Sequence, residues 1–234
     1  MENLEILSPK IDLVFKRIFG NEKNPRILIS FLNAVMDPID KITEVKIENS
    51  NIEDDDEFSR LDIKAKTDKG ERINIEIEIK NEHDMIKRGL YHWSKMYGGK
   101  VKHERYDDEL VKTVYINIFN FKFFRSEQAH TCYRMKEIKT NEEFTDMQEL
   151  HFIELPKIPK EDREITDIFS AWMEFIENPI SNNLKKMEME VEEIKEAKEE
   201  LMRISADKKE RALYEERKVL MLNKVSKLEI DENK

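Results

Sequence analysis

The residues best suited to chemistry lie in a short segment where charged and apolar side chains alternate. Four isoleucines between positions 73 and 79 alternate with Asn74, Glu76, Glu78 and Lys80. On a β-strand, residues two apart share a face, so Glu76, Glu78 and Lys80 should project together. Two carboxylates and an ammonium on one strip could bind a divalent cation and a phosphate. The same alternation is also typical of a half-buried sheet with one solvated face.

A second acid is expected beside this strip. Residues 61–66 also alternate between apolar and charged types, and Asp68-Lys69-Gly70 predicts a hairpin turn. Asp62 therefore lies on the polar side of the neighbouring strand. Acids that converge across a hairpin repel one another unless a cation lies between them. Because carboxylate oxygens are ligands for Mg²⁺ or Mn²⁺, the pattern indicates a divalent-metal site.

The elements that position these groups follow from the apolar spacing. Helical periodicity indicates three helices in the first 160 residues, and the third should bury an apolar face that includes Met85, Ile86 and Leu90. Period-two alternation indicates two further strands, which predicts an α/β fold. The helices are expected over Lys10–Phe19, from Ile27 to about Asp37 and from Asp84 onward, and the strands over Lys112–Phe121 and Leu150–Leu155.

The last third of the chain carries no strand pattern. From Leu184 onward, apolar residues recur at three- and four-residue steps with Glu and Lys between them. This spacing is typical of a helical hairpin or coiled-coil arm, which could pack on the core or form a homo-oligomer. The expected division is a domain over residues 1–160 and a helical extension over 161–234.

Charge is unevenly distributed in this acidic chain. The 234 residues carry 41 basic and 51 acidic side chains, a net charge of −10. Eight acids and two bases lie between Glu44 and Asp62, whereas six bases and two acids lie between Asp84 and Arg105. An acidic centre beside a basic helix suits a metal-dependent phosphodiesterase, although two solvated faces of opposite sign would give the same pattern.

Several classes of protein are excluded or disfavoured. Cys132 is the only cysteine, so no disulfide can form within the chain and a reducing, cytoplasmic location is expected. No apolar run approaches the ~20 residues of a membrane helix, the first ten residues do not read as a secretory signal, and no Gly-rich dinucleotide or P-loop motif is present. The five histidines show no metal-ligand spacing, and Cys132 is interpreted as a structural thiol.

An acid on one strand, a hairpin turn, and E-x-K on the next strand with a helix after it resemble the PD-(D/E)xK nuclease superfamily. Within it, the chain is similar to the recombination-promoting nuclease or putative transposase family. The resemblance covers nearly the whole chain through SPKIDLVFKRIFG, NPRILISFLNAVMD, RLDIKA, INIEIEIKNEHDMIKRGLYHWSKMYGG, VYINIFNF, HFIELPK and the charged helical tail after AWMEFI.

The resemblance implies a restriction-endonuclease-like core, with a mixed sheet flanked by helices and a C-terminal helical arm. It implies that Asp62 and Glu76 bind the metal together with the Ile77 carbonyl. The chain departs from the family at Glu78, where the family tends to have glutamine and many relatives in the superfamily have lysine. An alternative register takes Glu78-Ile79-Lys80 as the E-x-K triplet, with Glu76 as an extra acid one step earlier.

The implied activity is Mg²⁺-dependent hydrolysis of DNA phosphodiester bonds by an endonuclease linked to recombination or mobile elements, with Mn²⁺ as an alternative ion. Lys80 would stabilise the charge of the transition state or orient the attacking water. Five further residues are expected near DNA. They are Asp12 and Lys16, which match the family's D-x-x-F-K pattern, and Lys87, Arg88 and Lys95 on the basic helix.

Two other functions fit the same sequence. In the second reading, the glutamate at position 78 has abolished cleavage, and the protein keeps the nuclease fold but only binds DNA or oligomerises. A structural protein that binds a partner through its helical tail is the third reading, and it predicts no dependence on metal.

Overall fold

The structure, a computed structural model, describes residues 5–48, 62–78, 85–98, 110–159 and 164–232, with side chains described as far as residue 221. The chain divides into two compact units. Met1–Lys41 and Pro159–Lys234 form a helical unit, and Ile42–Ile158 form a sheet unit. The division at residue 160 into a nuclease-like domain and a helical arm stays a prediction.

The described elements alternate in type along the first half of the chain and are helical in the last third. Short 3₁₀ turns at Leu155–Lys157 and Asn182–Leu184 are additional. In chain order the elements are α1 (Asp12–Phe19), α2 (Arg26–Met36), β1 (Val45–Glu48), β2 (Ile63–Thr67), β3 (Arg72–Glu78), α3 (Met85–Gly98), β4 (Thr113–Phe119), β5 (His130–Lys136), β6 (Glu143–Glu154), α4 (Ile168–Glu177), α5 (Lys185–Glu190), α6 (Glu192–Ala206) and α7 (Lys208–Glu232).

The sheet unit contains a mixed six-stranded sheet in the order β1-β2-β3-β4-β6-β5. The pairs β1–β2, β2–β3 and β5–β6 are antiparallel, whereas β3–β4 and β4–β6 are parallel. A parallel pair needs a long crossover connection, and α3 lies in the connection from β3 to β4. The predicted α/β class with a mixed sheet and flanking helices is therefore confirmed.

The turn between β2 and β3 forms as the sequence predicts. Gly70 adopts a positive φ of 83°, which a residue without a side chain reaches at little cost, and its N–H donates to the Thr67 carbonyl at 2.9 Å. This turn sets the antiparallel register in which Ile63 faces Ile75 and Lys64 faces Asn74. The register decides which polar side chains meet across the hairpin.

The helical unit is held by aromatic side chains from segments that are distant in sequence. Phe19 lies 5.0 Å from Phe31 and 5.3 Å from Trp172, measured between ring centroids, and all three are fully buried. Trp172 Nε1 donates to Ser30 Oγ at 3.2 Å, which satisfies its one polar atom. The apolar faces predicted for α1 and α2 are thus core surfaces.

The structure differs from the sequence predictions at three places. The first helix begins at Asp12 rather than Lys10, because the Ser8 carbonyl accepts the Ile11 N–H in a preceding turn. The strand predicted over Leu150–Leu155 is the end of the twelve-residue β6. Its partner β5 was not predicted, because it is an edge strand whose side chains are mostly exposed and whose apolar alternation is limited to Tyr133 and Met135.

The buried face of α3 also differs from the prediction. Ile86 and Leu90 are exposed, at 45% and 42% of their surface, whereas Met85 and Gly89 are buried. A Cβ built on Gly89 would lie 3.4 Å from Tyr115 Cε1, at the near limit of ordinary van der Waals contact, so α3 packs on β4 at this position. The burial of Met85 agrees with the prediction, whereas Ile86 and Leu90 are turned toward solvent.

Within the described residues, no helix combines the length and the apolar character that a membrane crossing requires.

Candidate active site

The β2–β3 hairpin places two acids opposite each other. Ile63 pairs with Ile75, and continuing the register by one residue brings Asp62 opposite Glu76. Both carboxylates are buried, with 8% of Asp62 and 5% of Glu76 exposed. Asn74 Nδ2 donates to Asp62 Oδ2 at 3.4 Å. The two acids therefore share one face of the sheet.

The pKa of Asp62 reflects this arrangement. Burial raises the Asp62 pKa well above its usual value, and the neighbouring Glu76 carboxylate raises it further. Both effects act against the charged form of Asp62. The pair is therefore destabilised when both groups are ionised, and a bound cation would relieve that cost.

Arg88 of α3 contacts both acids of β3. Its Nη2 atom lies 3.3 Å from Glu76 Oε2 and also forms an ion pair with Glu78 Oε1. The Arg88 side chain is partly exposed, whereas those of Glu76 and Glu78 are mostly buried. The structure thus brings a positive charge to the acids from the following helix.

Unsatisfied polar atoms lie beside Glu76 on β3 and β4. In the part of the chain that the structure describes, Asn74 Oδ1, Tyr115 Oη and Asn117 Nδ2 are buried without a hydrogen-bond partner. Asn117 faces Glu76 in the parallel register, and Tyr115 faces Asn74. Burial, followed by the charges of Glu76 and Asp62, raises the Tyr115 pKa well above its usual value. Buried polar atoms without partners indicate a place for water or an ion.

Helix α3 covers this polar face of the sheet. The His92 ring stacks on Tyr115 with an interplanar angle of 8° and a centroid distance of 6.4 Å. Trp93 Nε1 donates to the Thr113 carbonyl at 3.1 Å, and Arg72 Nη1 donates to the Met96 carbonyl at 3.0 Å. Arg72 pairs with Thr113, so both bonds fix the C-terminal half of α3 against the first residues of β3 and β4.

The donor set around the two acids fits a hard divalent cation. Asp62 and Glu76 supply carboxylate oxygens, and the amide oxygen of Asn74 beside them has no partner. Oxygen ligands of this kind are those preferred by Mg²⁺ and Mn²⁺. Asp62 and Glu76 are thus the residues that could hold the ion.

The other predicted site residues are placed as follows. The Ile77 side chain is buried on the face opposite Glu76, and a role for its carbonyl stays a prediction. Lys80 lies outside the described residues. Lys87 and Lys95 are exposed on α3, and Lys95 Nζ lies 5.2 Å from the Tyr91 ring centroid.

Asp12 and Lys16 belong to α1 in the helical unit. Asp12 is buried and accepts a bidentate ion pair from Arg217, whose Nε lies 3.0 Å from Oδ1 and whose Nη2 lies 2.5 Å from Oδ2. Lys16 is half-buried. The bidentate pair gives Asp12 a structural partner within its own unit, and contact with DNA at either residue stays a prediction.

Sequence reasoning missed the role of Arg88 in the site and the polar residues of β4. Arg88 was assigned to DNA phosphates because its helix is basic. Tyr115 and Asn117 occupy alternate positions of β4, a strand in which every residue is buried. The signal for them was present, since Tyr115 and Asn117 fall two residues apart on one face.

A second group of titratable residues lies on β5 and β6. Cys132 is exposed as a residue on the edge strand, but its thiol is partly buried against Glu149 and His151. This burial and the nearby Glu149 raise the pKa of the Cys132 thiol to about 11, so the thiol is protonated at neutral pH and is a poor nucleophile. Burial, with His151, lowers the pKa of His130 to about 4. Burial acts to raise the Glu149 pKa, but hydrogen bonds from His151, Arg134 and Lys112 hold it well below its usual range.

Comparison with known proteins gives one match. The family model described as PD-(D/E)XK nuclease family transposase matches residues 9–231, which include both the sheet and the helical tail. No curated protein and no solved structure matches the chain.

Proposed function

Because the chain belongs to the family of PD-(D/E)XK nuclease family transposases, we propose that it is a metal-dependent DNA endonuclease that hydrolyses phosphodiester bonds. The observation that carries the proposal is the pair of buried carboxylates, Asp62 and Glu76, opposed across the β2–β3 hairpin. The link to recombination or mobile elements rests on the transposase description of the family.

Asp62 and Glu76 would hold Mg²⁺ or Mn²⁺, with the Ile77 carbonyl as a further ligand. A divalent ion held there supplies Lewis acidity and lowers the pKa of a water molecule. The burial of Asp62 and Glu76 keeps bulk water from the carboxylates and strengthens their attraction for a cation. Lys80 would stabilise the charge that develops on the phosphate.

In this proposal Glu78 does not have the role that a lysine or a glutamine has at the same position in related proteins. Its ion pair with Arg88 orients the guanidinium toward Glu76, so the positive charge comes from α3 rather than from position 78. Arg88 is then a positioning residue that holds the Glu76 carboxylate. The exposed Lys87 and Lys95 on the same helix would bind neighbouring backbone phosphates.

One observation favours a second candidate function. Arg88 already compensates the charge of Glu76, which is what a metal ion would do. A nuclease-fold protein that binds DNA or oligomerises without cutting it would keep such an ion pair. Metal-dependent cleavage separates this candidate from the first.

Supercoiled plasmid DNA tests the activity directly. The purified full chain should convert it to nicked and linear forms in the presence of Mg²⁺, and the products should be absent with excess EDTA. Gel electrophoresis over a time course measures the conversion. DNA binding without any conversion in Mg²⁺ or Mn²⁺ would favour the non-cleaving candidate.

The Arg88→Gln variant tests the positioning role. Loss of the guanidinium leaves Glu76 and Glu78 without the positive charge of Arg88, which they share. We therefore expect single-turnover cleavage at saturating protein to slow by about 10²-fold. The matched control is Lys87→Gln, which removes the same charge from an exposed position of the same helix.

Lys87→Gln should leave the single-turnover rate unchanged and should instead lower the salt slope of DNA binding by about 1. Arg88→Lys should restore part of the rate, because it returns the charge. Equal rates in the wild type and Arg88→Gln would contradict a positioning role for Arg88.

A further inference from the structure

The antiparallel pairing of β5 with β6 brings four potential metal ligands to one face of the sheet. Cys132 pairs directly with His151. His130 lies two residues before Cys132, and Glu149 lies two residues before His151, so all four share a face. Each strand contributes two residues of metal-binding type, and these are two positions apart, so that both side chains lie on the same face.

This face is opposite to the one that carries Asp62 and Glu76. In the parallel register Tyr115 faces Leu150 and Asn117 faces Phe152, which places Leu150 and Phe152 on the face of the first site. Glu149 and His151 alternate with them and point the other way. The two groups of residues are therefore separate sites of one sheet.

The contacts inside the cluster are short. Cys132 Sγ lies 3.7 Å from His151 Nε2 and 3.9 Å from Glu149 Oε1, and His151 Nε2 lies 4.0 Å from Glu149 Oε2. Ligand atoms at the corners of a tetrahedral zinc site are separated by about 3.3–3.6 Å, given the usual Zn–S, Zn–N and Zn–O bond lengths. The Cys132 and His151 atoms are thus within a few tenths of an ångström of that separation. Cys132 and His151 approach different oxygens of Glu149, and one ligand atom from each of the three residues lies within 4.8 Å of the others, so a single Glu149 oxygen must move closer to complete the arrangement.

We propose that Cys132, Glu149 and His151 form a second metal site, which takes Zn²⁺ or a similar transition-metal ion. A thiolate, an imidazole nitrogen and a carboxylate oxygen are together a donor set for a borderline ion such as Zn²⁺, whereas Mg²⁺ prefers oxygen alone. Three protein ligands leave the fourth coordination position to water or to a substrate atom.

His130 completes the site as the partner of a ligand. Its Nε2 atom lies 3.0 Å from His151 Nδ1, so the His151 nitrogen that does not face the metal is hydrogen-bonded. This is the outer contact that fixes the tautomer and the ring orientation of a metal-binding histidine. With His151 Nε2 toward the metal, His151 Nδ1–H donates to His130 Nε2, and the proton of the His130 ring then lies on its Nδ1.

Glu149 also has two cationic partners. Lys112 Nζ lies 2.9 Å from Oε2, and Arg134 Nη2 lies 2.5 Å from Oε1. Both cations have partly exposed side chains that can yield an oxygen to the metal, and they hold the carboxylate in place. Because a metal must compete with them, Cys132 and His151 supply most of the affinity.

Cobalt spectroscopy of the full chain tests the proposal. Metal-free, reduced protein is titrated with Co²⁺, and we expect one equivalent to give a thiolate-to-cobalt charge-transfer band with the visible bands of a tetrahedral ion. Because Cys132 is the only cysteine, the thiolate band reports on this site alone. Zn²⁺ should remove the band, and excess Mg²⁺ should leave it unchanged.

Variants identify the ligands. Cys132→Ser, at an exposed position, should abolish the band, and His151→Gln should weaken Co²⁺ binding by at least about 100-fold. His130→Gln should weaken it by about 10- to 100-fold. Glu143→Gln is the matched control for Glu149→Gln, because Glu143 also pairs with Arg134 but lies outside the cluster. The Glu143→Gln variant should bind Co²⁺ with the affinity of the wild type.

The Asp62→Asn variant shows that the two sites are independent. Because it changes only the site on the opposite face of the sheet, this variant should keep the full thiolate-to-cobalt band. Absence of the band in the wild type would overturn the proposal. Equal Co²⁺ affinity in the wild type, His151→Gln and His130→Gln would also overturn it, since a lone thiolate would then account for the binding.

Discussion

Asp62→Asn and Glu76→Gln should each reduce Mg²⁺-dependent plasmid cleavage by about 10²- to 10³-fold. Each substitution removes a negatively charged oxygen ligand while keeping the size of the side chain. The asparagine at position 62 also keeps an oxygen that can accept from Asn74 Nδ2. Initial rates of plasmid conversion over a range of Mg²⁺ concentrations measure the loss.

The controls are the same chemical changes at exposed carboxylates of the same unit. Asp146→Asn and Glu142→Gln should cleave like the wild type, because both side chains are exposed. Cleavage by Asp62→Asn at the wild-type rate would remove Asp62 from the mechanism.

The stability of the metal-free Asp62→Asn variant shows whether a loss of cleavage comes from the missing metal ligand or from unfolding. Because the folded state raises the pKa of Asp62, ionisation of this group costs stability as the pH rises above its unfolded value of about 3.9. Asparagine carries no charge and avoids that cost. Without metal at pH 8, Asp62→Asn should therefore unfold at or above the melting temperature of the wild type.

Glu154→Ala should lower the free energy of unfolding by about 3–5 kcal/mol, the cost of leaving a buried charge without its partner. Glu154 is 1% exposed, and its Oε1 accepts the Phe123 and Phe124 N–H groups at 2.5 and 3.2 Å. It also forms an ion pair with the buried Lys157, which donates to the Phe124 and Ser126 carbonyls. Urea unfolding followed by circular dichroism measures the change.

Glu137 provides the matched comparison for Glu154. It also accepts two backbone N–H groups, from Lys139 at 2.7 Å and Thr140 at 2.5 Å, but it is exposed. Glu137→Ala should therefore cost no more than about 1 kcal/mol. Replacing both Glu154 and Lys157 by uncharged residues should cost less than Glu154→Ala alone. Equal losses at Glu137 and Glu154 would show that burial does not set the cost.

Sequence patterns predicted the elements in which local spacing and burial agree. The β2–β3 hairpin carries its own turn residues, and its alternation places Asp62 and Glu76 on one face without further information. The α1 and α2 helices likewise have apolar faces that are buried. Short-range periodicity was sufficient there because the element and its burial follow from neighbouring residues.

The features that could not be predicted depend on contacts between distant residues. Arg88 reaches Glu76 and Glu78 because α3 packs on the sheet, where Gly89 lies against Tyr115 of β4. The Asp12–Arg217 pair joins residues 205 positions apart. No local pattern indicates either contact.

The ligand cluster on β5 and β6 illustrates the same limit. The two-residue spacing of His130 with Cys132, and of Glu149 with His151, was visible in the sequence. The spacing indicates a shared site only once the edge strand β5 is paired with β6, and the apolar alternation that would identify β5 as a strand is limited to Tyr133 and Met135. Sequence reasoning therefore interpreted these residues as structural.

The helical unit has a consequence for biosynthesis. Its first helices find their partners in residues made much later, since Phe19 contacts Trp172 and the Leu7 N–H donates to Ser205 Oγ. On the ribosome, α1 and α2 emerge with their apolar faces uncovered, and the whole sheet unit is translated before α4 and α6 can cover them. A nascent chain that stops early would thus carry exposed phenylalanines and be a target for chaperones and proteases.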